Sequence, residues 1–130
     1  MSDKFSEKES FSPKKRVRSF GYAFRGIYNM LRSQHNFWIQ LTLGTLAVVM
    51  GFALEISRGE WMILALTIGM VLAAETFNSA IESLTDLVQP EQDPRAGWIK
   101  DLAAGAVLIT AIASVVVGLL IFVPRILALL

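Results

Sequence analysis

The chain has 130 residues, 54% of them hydrophobic and 18% charged, with no cysteine and a formal net charge of +1, and its mean hydropathy is +0.53. An ordinary soluble domain is excluded, because a chain this short keeps about a third of its surface in water and would expose its long apolar runs there. Without cysteine there is no disulfide framework, thiolate metal site or thiol nucleophile, and a bilayer is the solvent that suits the remaining composition.

The small net charge hides an asymmetry. Of the twelve Lys and Arg, eight fall in the first 32 residues: Lys4, Lys8, Lys14, Lys15, Arg16, Arg18, Arg25 and Arg32. They do not alternate with aromatics as on a nucleic-acid platform, so an anionic membrane surface is the expected partner and nucleic acid is not. Residues 1–16 are polar, rich in Ser, Lys and Glu, and are expected to form a disordered tail on the cytoplasmic side. They lack the short apolar core and small-residue cleavage site of a signal peptide, so they are expected to stay in the mature protein.

From about 17 to 34 the pattern is that of an amphipathic helix lying on the membrane. Phe20, Phe24, Ile27, Tyr28 and Leu31 share one face, and Arg18, Arg25 and Arg32 recur every seven residues on another. Residues 37–54 are apolar apart from Gln40 and small or hydroxyl residues, and long enough for a first spanning helix. The polar stretch Glu55–Glu60 is a tight turn, so a second spanning helix, about 61–88, returns antiparallel from an interfacial Trp61. Pro90 and Pro94 mark a loop, and the third span, about 98–123, contains Gly105 and Gly118 for close packing and is ended or kinked at Pro124. The N-terminal segment and the loop with Arg95 and Lys100 hold ten of the twelve cations, which places both at the cytoplasmic face of an inner membrane. The expected fold is all-α and integral to the membrane, with one domain over residues 17–130.

The second span carries a polar stripe. At about 100° per residue, Glu75, Asn78, Glu82 and Asp86 fall within an arc of roughly 80°. At about 1.5 Å per residue from Trp61, Glu75 lies roughly 21 Å into a core about 30 Å thick, while Glu82 and Asp86 reach the interface. A carboxylate at bilayer depth is expensive unless it is paired or protonated and faces a bundle interior. Three carboxylates and an amide exceed what three helices are expected to hide, so identical chains are expected to associate over the stripe. Lys100 and Asp101 open the third span on the same side, where Lys supplies a point charge for phosphate oxygens and Asp binds Mg²⁺ or orients that Lys.

Phosphoryl transfer needs cations on the phosphates, an acceptor hydroxyl in line and a carboxylate to take its proton. The stripe offers Glu75 as the base and shallower Glu82 as the metal ligand. No GxxxxGK[ST] loop or protein-kinase signature accompanies them. The competing reading is a non-enzymatic membrane protein, an ion or proton conductor or an assembly subunit using the stripe for oligomerisation. A conductor needs polar groups through the whole bilayer, whereas this stripe enters from one face and stops.

Ala74-Glu-Thr-Phe-Asn-Ser-Ala-Ile-Glu82, then Asp86 and Lys100-Asp101, closely resembles the signature of the prokaryotic diacylglycerol kinase family, which includes undecaprenol kinases. The likeness extends over roughly Ser19 to Phe122, with Gly21-Tyr22, Gly26 and Asn36-Phe37 at family-like places. It implies a homotrimer whose active sites lie between subunits at the cytoplasmic surface, with ATP as donor, Mg²⁺ as cofactor and a membrane lipid alcohol, diacylglycerol or undecaprenol, as acceptor. The resemblance makes Glu75 the catalytic carboxylate, Asn78 its supporting amide and Glu82 the Mg²⁺ and nucleotide ligand. By the same likeness Lys100 and Asp101 contact the nucleotide, Tyr22 the adenine side, and Glu91 and Asp93 a nucleotide-touching loop. In Ser33-Gln-His-Asn36, Gln34 stands where the family most often has a second metal-binding Glu, and it brings a neutral carbonyl in place of a charge. Ala73-Ala74-Glu75 and Asp101–Leu108 look more like the undecaprenol branch.

Overall fold

A computed structural model of the chain describes residues 10–130. They form four helices, α1 (Pro13–Ser33), α2 (His35–Ala53), α3 (Arg58–Val88) and α4 (Pro94–Ala128). Residues 1–9 of the expected tail lie outside the described residues, and α1 already begins four residues before Val17. Pro13 suits a first helical position, where its missing N–H is an orphan anyway. Ser12 just before it supplies its carbonyl to Arg16 N–H at 3.2 Å.

The residues up to Ser33 form one compact unit and Gln34–Leu130 a second. Within α1, Arg25 lies over the Tyr22 ring at 5.8 Å and Arg32 over the Tyr28 ring at 5.7 Å. These three- and four-residue spacings are the ones that make neighbours on a helix surface.

In the second unit α3 packs chiefly on α4, with α2 alongside. α2, α3 and α4 are each long and apolar enough to cross a bilayer. Side chains such as Leu66 (75% exposed) and Leu120 (71%) stand fully outward, which suits acyl chains and not water.

The α2–α3 turn is tightly specified. Ser57 caps α3 by accepting from Glu60 N–H at 3.2 Å, and Glu60 answers by accepting from Ser57 N–H at 3.0 Å. Gly51 lets the Trp61 ring approach so closely that a Cβ there would sit 2.7 Å from it. Phe52 then packs on the same ring with centroids 4.7 Å apart. Trp61 is therefore part of the packing that closes the hairpin, as well as standing at the end of its span.

Arg125 binds this turn from α4. It pairs with Glu60 and donates to the carbonyls of Leu54 at 3.5 Å and Glu55 at 3.2 Å. Glu55 has a φ of 52°, uncommon for a residue with a Cβ, and its carbonyl is one of the two held by that guanidinium. Helix α4 runs through Pro124 to Ala128, so the proline does not end it. A proline near a helix end disrupts few backbone bonds.

The apolar core gathers at this same end, around Ile56, Leu64, Ile121 and Phe122 with Trp61 and Ile68 against them. The polar stripe of α3 occupies the opposite half of the bundle, beside the α3–α4 loop.

Candidate active site

Glu75 is 3% exposed within a single chain. Of the stripe, the single chain buries Glu75 alone, leaving Asn78 and Glu82 half-buried and Asp86 exposed. Helix α2 turns Gln40 toward Glu75, and Gln40 Nε2 donates to Glu75 Oε2 at 3.3 Å. Gln40 also presents a buried Oε1 that has no hydrogen-bond partner. It is the one amide or charged residue between Phe37 and Leu54, and such a residue in a spanning helix turns inward.

Asn78 departs from the expected arrangement. Its Nδ2 donates to Glu82 Oε1 at 3.2 Å, so it supports the shallower carboxylate and not Glu75. The pair is i, i+4 along α3, a spacing at which side chains meet without help from another helix. One Glu82 oxygen is thus engaged and the other is left for a ligand. Asn78 Oδ1 and the hydroxyl of Ser79 are buried without partners. Buried polar atoms are normally satisfied, so the face bearing Glu75, Asn78, Ser79 and Glu82 is a concentrated polar patch inside an apolar bundle.

At the mouth of the hairpin, Lys100 donates to Asp86 Oδ1 at 2.5 Å. The ammonium is held across the α3–α4 hairpin by the last acid of the stripe, and Asp101 is not the residue that orients it. The reason is register. Asp86 stands near the end of α3 and Lys100 in the second turn of α4, so a short antiparallel connection brings them level.

The α3–α4 loop encloses an open cavity of 560 Å³, lined by Asp86, Gln89, Glu91, Asp93, Gly97 and Lys100 among others. That volume lies in the range of small-molecule sites. Asp93 caps α4, its Oδ1 accepting from Arg95 N–H at 2.8 Å and its Oδ2 from the Arg95 guanidinium at 2.9 Å. Hydrogen bonds from the Arg95 side chain and then its backbone N–H hold the Asp93 carboxyl down to about 2. Asp93 therefore shapes the loop with both oxygens occupied, whereas Glu91 and Asp101 stand exposed nearby in sequence.

Gln34 is the N-cap of α2 and makes no side-chain capping bond, which leaves its carbonyl available. Tyr22 belongs to the first unit and is exposed there. Among the described residues no three His, Asp or Glu converge on a point where one chain could hold a metal. What a single chain assembles is a buried acid with an amide donor, a second acid one helical step toward the loop, and a lysine beside an open pocket.

These features define a polytopic helical membrane protein with a small-molecule-sized pocket at the α3–α4 loop and a buried carboxylate further along α3. Known proteins narrow the class. Residues 21–122 match the family model for prokaryotic diacylglycerol kinase. An undecaprenol kinase from Bacillus subtilis is 41% identical over 108 residues, covering 83% of this chain and 88% of the relative. A diacylglycerol kinase from Synechocystis is 38% identical over 112 residues, covering 85% of this chain and 64% of the relative. A diacylglycerol kinase from Escherichia coli is 28% identical over 100 residues, covering 77% of this chain and 82% of the relative. The chain belongs to the prokaryotic diacylglycerol kinase family, and its activity class is that of a lipid kinase.

Proposed function

We propose that this lipid kinase moves the γ-phosphoryl group of ATP to the hydroxyl of undecaprenol, or of diacylglycerol as the second choice, at the cytoplasmic face of the inner membrane. The observation that supports the mechanism is the buried Glu75, on the same helix as Asp86, which lines the loop pocket with Lys100. The preference for undecaprenol rests on the Bacillus relative, the most similar of the three compared here.

Glu75 accepts the proton of the lipid hydroxyl, whose oxygen attacks the γ-phosphorus as the bond to ADP breaks. Lys100 contacts phosphate oxygens, with Glu91, Asp93 and Asp101 around the nucleotide and Tyr22 against the adenine. Asn78 orients Glu82. Magnesium fits this donor set, because it takes one or two carboxylates plus substrate phosphates and Glu82 has one oxygen uncommitted. Glu82, with the Gln34 carbonyl, would hold the ion, which would supply charge neutralisation on the nucleotide phosphates.

Helix α1 lies on the anionic leaflet with Arg18, Arg25 and Arg32 toward the headgroups. Three copies close the site as a homotrimer. The lack of a three-ligand cluster among the described residues of one chain and the partnerless atoms on Asn78 and Ser79 support a face completed by a neighbour.

The test is direct. Purified protein is incubated with ATP, Mg²⁺ and a panel of undecaprenol, diacylglycerol and other lipid alcohols, beside a Glu75→Gln variant. Transfer to undecaprenol by the parent and none by an assembled Glu75→Gln is expected. Full turnover by that variant removes Glu75 from the mechanism, and transfer to no lipid in the panel removes the reading of the acceptor.

A further inference from the structure

We propose that Gln40 is a positioning residue for phosphoryl transfer, fixing one oxygen of Glu75 so that the other faces the acceptor hydroxyl and supplying an acceptor for the acid once it holds the proton. This deepens the proposed reaction and rests on Glu75 being its base.

Glu75 is almost wholly withdrawn from solvent, so its orientation is set by what touches it. The side-chain hydrogen bond at Glu75 comes from Gln40 Nε2, reaching Oε2 at 3.3 Å from the facing helix. Asn78, the residue on α3 best spaced to assist, is turned to Glu82 instead. A carboxylate held at one oxygen loses the freedom to rotate, and the remaining oxygen is presented in a fixed direction.

The chemistry then reverses what Glu75 needs. As the lipid O–H bond breaks, its proton passes to Glu75, and its electron pair forms the new bond to phosphorus while ADP leaves with the pair of the broken P–O bond. Glu75 becomes a neutral acid with an O–H donor in an apolar bundle. Gln40 Oε1 is buried and partnerless. The second Glu75 oxygen has two lone-pair sites, so it can take the lipid proton on one side and, as the O–H turns about the C–O bond, donate it to the amide oxygen, which completes the two parallel hydrogen bonds of a carboxamide–acid pair. Gln40 thus satisfies Glu75 on both sides of the proton transfer. An apolar side chain would satisfy neither, and a fixed cation would satisfy only the carboxylate.

The opposing reading makes Gln40 a polar tie between α2 and α3 and nothing more. The two separate in kinetics. Gln40→Met keeps the length and removes both polar atoms. Its kcat for lipid phosphorylation is expected to fall about 10- to 100-fold, with the apparent KM for ATP and the oligomer unchanged. Gln40→His, which restores a nitrogen donor, is expected to recover most of that loss.

Wild-type kcat in Gln40→Met beside an inactive Glu75→Gln overturns the role of Gln40 and leaves the base intact. An active Glu75→Gln overturns the base itself. Should Gln40→Met fail to assemble, Gln40→Asn draws the carboxamide back by one methylene and takes its place. A lowered kcat at unchanged KM for ATP then supports the role, and an unchanged kcat overturns it.

Discussion

Replacing Asp86 by Asn tests how Lys100 is kept ready for a nucleotide. The pair is short, 2.5 Å, yet the side chains are 38% exposed at Lys100 and 62% at Asp86. Water and salt screen such a pair, and its worth is about 0.2–1 kcal/mol in spite of the distance. Phosphates entering the cavity must take the ammonium from Asp86. Removing the competitor therefore lowers the apparent KM for ATP, and 1 kcal/mol limits the gain to about fivefold. Lys100→Met removes the phosphate partner itself, a charged hydrogen bond worth about 1.5–3 kcal/mol, and raises KM by roughly 10- to 150-fold. Initial rates against ATP at saturating lipid, at low and moderate ionic strength, measure both. The Asp86→Asn gain should shrink with salt. A rise in KM, or a tenfold fall in kcat, in Asp86→Asn would show that Asp86 itself touches the nucleotide or metal, and the counter-ion reasoning would fail.

Gln34→Glu places a charge where α2 begins and lowers the Mg²⁺ concentration needed for half-maximal activity, whereas an identical metal titration puts Gln34 outside the metal's ligands. Gly51→Ala drives a Cβ to 2.7 Å from the Trp61 ring and 3.1 Å from Ile56, an overpacking worth about 1–3 kcal/mol. Its thermal unfolding in detergent should move down and recover in a Gly51→Ala, Trp61→Leu double variant, and an unmoved transition would show that the turn yields freely. The folded Asp93 carboxyl is lowered from 3.8 to about 2, so its contribution is complete above about pH 4 and is lost as pH falls toward 2. Thermal shift across that window should show this acid-side loss in the parent and a weaker one in Asp93→Asn, and equal profiles would count against the Arg95 clasp.

Much of the bundle is written in hydropathy. The runs that become α2, α3 and α4 are too long and apolar for another use, whereas the capping box of Ser57 and Glu60 starts α3 at Arg58, inside the stretch read as a turn. The carboxylate stripe is equally legible, because helical spacing alone aligns Glu75, Asn78, Glu82 and Asp86. Pairings between helices are another matter. Gln40 reads in sequence as an interruption of an apolar run, and only the packing of α2 on α3 turns it to Glu75. Asp86 and Lys100 are 14 positions apart, and their meeting depends on where the α3–α4 loop sets the register. Asn78 could serve the acid on either side of it, and its spacing to Glu75 and Glu82 does not choose. In the folded chain its amide turns to Glu82.

The two halves of the bundle divide the work for a physical reason. A site that buries Glu75, Asn78 and Ser79 leaves polar atoms unsatisfied and contributes little to holding helices together. The opposite end must then hold the hairpin. It does so with the Ile56, Leu64, Ile121 and Phe122 core, the Gly51–Trp61 contact and Arg125 bound to Glu60 and two turn carbonyls. Because the anchoring is remote, the site end can trade one set of hydrogen bonds for another during a reaction without loosening the helices. Variants at the core end should change unfolding and leave kcat alone, and variants at Gln40 should do the reverse. An Arg125→Met protein that unfolds earlier yet keeps the parental kcat where it remains assembled would match that division, and one whose kcat falls in step with its stability would show that the two ends are mechanically one.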